Sequence, residues 1–167
     1  MSRSGGVDAG AVLVIAAVAI PNLLWARISA NEASAVGMIR TVDSAQISYV
    51  AGYPQRGFAR DLASLGPDPG DASAVSADHA SFIDATVGNA SCTAGAWCAK
   101  SGFQFTVTAA CRKQVCEDYV VVGTPVSSGT GSRNFCSTSD AVVRFSVGPP
   151  LTSPVSVAEC QLWSPLQ

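Results

Sequence analysis

Val12-Leu13-Val14-Ile15-Ala16-Ala17-Val18-Ala19-Ile20-Pro21-Asn22-Leu23-Leu24 is an apolar run that leads directly into a polar, amphipathic pattern. So much apolar surface is favourable only when something other than water covers it. A helix that crosses a bilayer takes about 20 apolar residues. This run, counted generously from Ala9 to Ala26, falls somewhat short and carries a proline, so it reads as a marginal membrane anchor. A secretory signal peptide would place a small-residue cleavage site behind a short apolar region. Here the run flows into Asn22-Leu23-Leu24-Trp25-Ala26-Arg27 without a convincing one. The segment is therefore expected to stay in the mature protein, held in a membrane, buried among copies of itself, or both in succession.

Beyond Pro21 the residues Ile28, Ala35, Ile39, Val42, Gln46, Tyr49 and Tyr53 step by threes, fours and sevens, as one face of an amphipathic helix does. That face is expected to lie on a sheet. Across from it, Ala30, Ala33, Ser34 and Gly37 are small enough to let another helix approach closely. Gly52, Pro54 and Gly57 end the helix.

Residues 57–101 read as loop-rich, with short helices predicted around residues 61–65 and 77–87. Pro67-Asp68-Pro69-Gly70-Asp71 is a breaker cluster. Its acids, with Asp78 and Asp84, lack the spacing of a calcium loop and read as solvated turn residues. Strands begin at Gly102, where Phe103, Phe105 and Val107 alternate with Gln104, Thr106 and Thr108. Residues 118–123, 132–136 and 141–147 supply three more, with turns at 124–131 and 137–140. The expected architecture is α+β: a long N-terminal helix packed on a four-stranded, mainly antiparallel sheet. Residues 1–26 form the apolar half of the helix and residues 27–167 the globular head. The proline-rich tail, residues 148–167, should pass over the sheet edge, held by Cys160 and Trp163.

The chain of 167 residues is long enough for one real core. Its charged content of 13% is low, and its 48% hydrophobic content with mean hydropathy +0.30 is high, so some apolar surface should face a partner. A net charge of -2 gives no general drive toward nucleic acid, and no specific nucleic-acid partner is predicted.

Six cysteines behind an export-directing apolar segment point to an oxidising compartment and to disulfides. Many pairings are open to six cysteines. Cys92 and Cys98 are near neighbours, and Cys111 and Cys116 flank a hairpin turn, which leaves Cys136 with Cys160. The last pair would tie the tail to the sheet and contribute roughly 3 kcal/mol through the closed loop. Zinc would favour shorter Cys-x-x-Cys spacings and histidine partners, and His79 is the single histidine. No metal or cofactor is expected.

Enzyme readings find no footing. His79 in Ser-Ala-Asp-His-Ala-Ser has no motif supplying both a nucleophile and an orienting acid. Gly129 and Gly131 lack the Lys-Ser or Lys-Thr that completes a phosphate loop. Arg112 and Lys113 stand beside Cys111, yet a hairpin disulfide accounts for that cysteine more simply than an activated thiolate. No catalytic residue is assigned.

Ile15-Ala-Ala-Val-Ala-Ile-Pro-Asn-Leu-Leu24, followed by Ala26-Arg27, Ala30-Asn-Glu-Ala-Ser-Ala-Val-Gly37 and Arg40-Thr41, resembles the N-terminal helix of bacterial type IV pilins and type II secretion pseudopilins. Looser similarity continues through Gly57-Phe58-Ala59, Leu62-Ala-Ser-Leu65, Ser101-Gly-Phe-Gln-Phe-Thr106, Gly131-Ser-Arg-Asn-Phe135 and Val142-Val-Arg144. The family's mature start, of the type Phe-Thr-Leu-Ile-Glu, has no counterpart. Aligned on Pro21, its glutamate falls near Ser4, and cleavage after Gly6 would expose Val7-Asp8.

The resemblance implies a structural subunit whose helix rests in the inner membrane and then joins a homopolymeric filament, extracellular or periplasmic. Val12, Val14, Ile15, Val18, Ile20, Pro21, Leu23 and Leu24 would line the filament core. Other copies of the chain, the pilus assembly machinery and prepilin peptidase are the implied partners. Adhesion, motility, DNA uptake and secretion are the implied uses. A type II pseudopilin and a monomeric membrane-tethered binding module are the alternatives.

Overall fold

The computed structural model describes residues 9–166, with side chains from Asn22 onward. Helix α1 spans Ala9–Gly52. Its second half buries Ala35, Met38, Ile39, Val42, Ala45, Gln46 and Tyr49, the three-and-four stepping of a single stripe, while Ile28 and Tyr53 are half-buried at its ends. The last helical turn closes with Tyr53 N–H donating to Tyr49 C=O at 2.8 Å, and Pro54 cannot donate the next bond.

The stripe lies on a sheet of six strands, not four: β1 Cys98–Lys100, β2 Phe103–Arg112, β3 Val115–Pro125, β4 Arg133–Thr138, β5 Arg144–Val147 and β6 Ser164–Pro165. They pair in chain order, every neighbour antiparallel. The four expected strands are β2 to β5. β1 and β6 are three and two residues long, too short to carry an alternating pattern. β1 exists because Ser101 and Gly102 both take positive φ (51° and 77°) and reverse the chain, setting Lys100 opposite Phe103.

The loop before the sheet contains α2, Leu62–Leu65. Asp61 caps it, accepting from Ser64 N–H at 2.9 Å and Ser64 Oγ at 2.7 Å. The helix expected over residues 77–87 does not form. Ala80, Ile83 and Val87 are buried with helical spacing, but the backbone there is already committed elsewhere. Ala80, Ser81 and Phe82 donate to the carbonyls of Ser64, Gly66 and Leu65. Helix formation would take those N–H groups from α2, and Ser81, at φ 57°, breaks the turn.

Both sheet faces are covered. Phe103, Phe105, Val107, Tyr119, Val121 and Phe135 meet α1. On the other face Val120, Val122 and Cys136 form a second cluster with Val155 and Cys160, flanked by Trp97, Leu151, Val157 and Trp163. The tail therefore covers the outer face rather than only the edge. The cause is the run Val120-Val121-Val122, which points apolar side chains to both sides of β3. The tail contains α3, Val157–Gln161, capped by Ser156 Oγ accepting from Glu159 N–H. It ends in β6, which extends the sheet beyond β5.

The disulfides are Cys92–Cys98 and Cys111–Cys116, which the spacing favoured, and Cys136–Cys160, the pair left over. The third closes the longest loop and holds the tail onto β4. Changing Cys136 and Cys160 together to alanine should lower stability by about 3 kcal/mol, read from the urea midpoint. Losing Cys92–Cys98, which closes a much shorter loop, should cost less by the same measurement.

Candidate assembly surface

Polar clasps fix where α1 joins the head. Asn31 Nδ2 donates to Thr130 C=O at 3.0 Å. One residue on, Glu32 is 4% exposed. Its Oε1 accepts from Ser132 N–H and Oγ at 2.8 and 2.9 Å, and its Oε2 from Arg133 Nε and Nη2 at 2.9 and 2.7 Å. The guanidinium of Arg133 also stacks over the rings of Phe135 and Phe145, at 5.4 and 5.5 Å from their centroids. Burial pushes the Glu32 carboxyl up, but Ser132 and Arg133 together outweigh it and hold the group below the usual range.

About three turns further along, Tyr119 Oη donates to Asp43 Oδ1 at 2.8 Å. Asp43 Oδ2 and the nearby buried hydroxyl of Ser137 make no well-formed hydrogen bond among the described residues. Burial raises the Asp43 carboxyl, with the Tyr119 bond and the neighbouring Ser137 hydroxyl only partly offsetting it, and burial likewise raises the Tyr119 phenol. Gln46 completes the series: Nε2 donates to Ala59 C=O at 3.1 Å and Oε1 accepts from Ala59 N–H at 2.8 Å.

Sequence reasoning passed over Asn31, Glu32 and Asp43. Positions 32, 35, 39, 43 and 46 step by threes and fours, so the polar residues sit in register with the buried stripe. That register is the signal by which they can be found.

N-terminal to the clasps, the first described side chains of the helix have no cover. Residues 22–27 are all exposed: Leu23 is 72% accessible, Leu24 53% and Trp25 66%. Of the expected filament-core residues, Leu23 and Leu24 thus present their side chains outward. Val12, Val14, Ile15, Val18, Ile20 and Pro21 lie outside the residues whose side chains are described. Ala30, Ala33, Ser34 and Gly37 are exposed along the same helix. A Cβ added at Gly37 would meet nothing within 4 Å, so the chain's own fold does not require glycine there. Among the described residues, no helix is long and apolar enough to cross a membrane. What this surface offers chemically is close helix–helix contact and apolar burial.

The other residues singled out in sequence do not converge. His79 Nδ1 has no hydrogen-bond partner among the described residues. Asp68 accepts from the N–H groups of Gly70 and Asp71, and Asp71 from Ser73, which holds both carboxyls below their usual range. Asp78 pairs with Arg56 and Asp84 with Lys100. Gly131 packs so tightly on Phe103 that a Cβ would lie 2.7 Å from the ring, and Gly129 stands open in the loop. One further feature is a cleft of about 420 Å³ lined by Arg56, Arg60, Lys113 and Gln114.

Glu32 and Asp43 are buried on the same helix, yet their ionisation acts on stability in opposite directions. Glu32, lowered in the fold, stabilises above its ordinary titration range, and that contribution fades as pH falls through its folded value. Asp43, raised, is a liability while ionised, and the penalty fades as pH falls through its raised value. Glu32→Gln should cost about 1–3 kcal/mol at pH 7 and less at pH 3. Asp43→Asn should gain about 1 kcal/mol at pH 7 and little at pH 3. Urea midpoints at the two pH values check both signs.

Compared with protein-family models, with curated proteins and with solved structures, the chain has no match in any of the three.

Proposed function

We propose that this chain is a structural subunit of a type IV pilus-like filament, extracellular or periplasmic, polymerising through the N-terminal half of α1. The observation that carries the reading is the uncovered segment Leu23-Leu24-Trp25, which continues the apolar run from Val12 and stands clear of the head. A Leu, Val or Ile side chain contributes about 1.5–3 kcal/mol when fully buried. Even partial coverage of this run by equivalent helices supplies a large drive to associate. The inner membrane covers the same surface before assembly, satisfying the apolar side chains with lipid while backbone groups stay bonded within the helix. The exposed face of Ala30, Ala33, Ser34 and Gly37 gives a neighbouring helix room to approach. Assembly machinery and prepilin peptidase are the partners this role requires.

The work of such a subunit is mechanical, and adhesion, motility, DNA uptake or secretion would follow from the filament it builds. Electron micrographs of material sheared from cells should show regular polymers containing this chain. Leu23→Asp with Leu24→Asp should abolish them while leaving the melting temperature of the head unchanged, since neither side chain touches it. Native protein recovered as dispersed single molecules, with Trp25 fluorescence blue-shifted by burial in its own head, would overturn the reading.

A further inference from the structure

At the far end of α1 the segment Arg56-Gly57-Phe58 is locked to the tip of the β2–β3 hairpin. Cys116 N–H donates to Arg56 C=O at 2.9 Å and Phe58 N–H to Cys116 C=O at 3.0 Å. Gly57, at φ 70°, permits this approach, because a Cβ there would lie 2.1 Å from the Cys116 carbonyl oxygen. The Cys111–Cys116 disulfide closes the hairpin behind it. The two walls therefore hold one another, and the cleft between them is built before any ligand arrives. Its lining is Arg56 and Arg60 on one side and Lys113 and Gln114 on the other.

Charge at this end runs against that of the whole chain. With ten Lys and Arg in a chain of net charge -2, four of them, Arg56, Arg60, Arg112 and Lys113, gather here. Asp78 neutralises Arg56 at 2.6 Å and Glu117 neutralises Arg112 at 3.2 Å. Asp61, next to Arg60, is turned into the cap of α2. Arg60 and Lys113 have no ion-pair partner among the described residues, and both face the cleft.

Backbone strain marks the same place. Lys113 opens the two-residue hairpin turn at φ 58°, a conformation for which glycine is the natural occupant. A lysine held there costs stability relative to glycine.

We propose that this cleft binds a phosphoryl or sulfuryl oxyanion group, carried on a molecule of roughly sugar size. Two guanidinium forks and an ammonium offer more donors than one carboxylate accepts, while a tetrahedral oxyanion has acceptors for all of them. The volume of about 420 Å³ suits a small ester rather than a bare ion. An extended polyanion is disfavoured because the remaining sheet cations, Lys100, Arg133 and Arg144, are each committed to an acid, so no basic stripe continues from the cleft.

The test is calorimetric titration of the full chain in neutral detergent with inorganic phosphate, inorganic sulfate and glucose 6-phosphate. Saturable binding in the millimolar range or tighter is expected, strongest for the ester, and weaker as salt rises. Arg60→Gln and Lys113→Gly should each weaken it at least tenfold. Lys113→Gly should also keep or raise the melting temperature, since glycine suits that backbone, so lost binding is separated from lost folding. No saturable binding of any of the three, or equal affinity in both variants, would overturn the proposal. So would binding of duplex DNA that phosphate and glucose 6-phosphate fail to displace. None of these outcomes bears on filament formation.

Discussion

The packing of one helical stripe, from Ala35 to Tyr49, against β2, β3 and β4 is the contact on which the rest of the molecule depends. It buries the large aromatics Phe103, Phe105, Tyr119 and Phe135, and it fixes how far α1 lies on the sheet and where it leaves. Apolar burial alone would leave that position loosely defined, because hydrophobic contact is not directional. The clasps at Asn31, Glu32, Asp43 and Gln46 are directional: Asn31 meets the β3–β4 loop, Glu32 the end of that loop and the start of β4, Asp43 β3, and Gln46 the loop after α1. A slide of α1 by one turn would strip Glu32 of Ser132 and Arg133 and leave a buried charge unpaired, a costly state. The clasps thus choose the register, and the stripe supplies most of the stability.

With the helix on one face, β3 forces the other face to be covered too. Three successive valines cannot all point the same way in a strand. The second cluster, the capped turn α3 and the Cys136–Cys160 disulfide follow from that arrangement. Residues 148–166, poor in regular structure, become a fixed layer because the sheet presents apolar surface to them and a covalent bond holds them in place.

The helix, its buried face, the four longer strands and two cysteine pairs were legible in sequence because each writes a local pattern, a period of three to four, a period of two, or close spacing, and Cys136–Cys160 followed as the pair left over. Three kinds of feature were not legible. β1 and β6 are shorter than any period they could display. Residues 77–87 carry a helical spacing at Ala80, Ile83 and Val87 that the fold spends on burial under a loop, since their N–H groups answer to α2. The basic cleft joins Arg60 to Lys113 across more than fifty residues, and nothing local foretells a parallel contact between Gly57 and Cys116. Glu32 is an intermediate case. Its position in the stripe was readable, but its partners at Ser132 and Arg133 lie about a hundred residues away, and only the fold brings them together.

The exposed end of α1 gains its meaning from where the clasps stop. Were Glu32 placed two turns earlier, the head would cover Trp25 and its neighbours, and the apolar run would have less surface left for others to bury. With the first strong clasp at Asn31 and Glu32, residues 22–27 are left exposed while the helix after the clasp is packed on the head. In the proposed filament, a pull on the buried helices reaches the head first through Glu32, passes to Arg133 and β4, and from Cys136 crosses the disulfide into the tail. Charge-assisted, forked bonding of the Glu32–Arg133 kind suits that position, since truncating Arg133 leaves the buried Glu32 carboxylate without its charged partner. A single neutral hydrogen bond, worth about 1 kcal/mol, would leave the same junction dependent on apolar contacts that slide under shear.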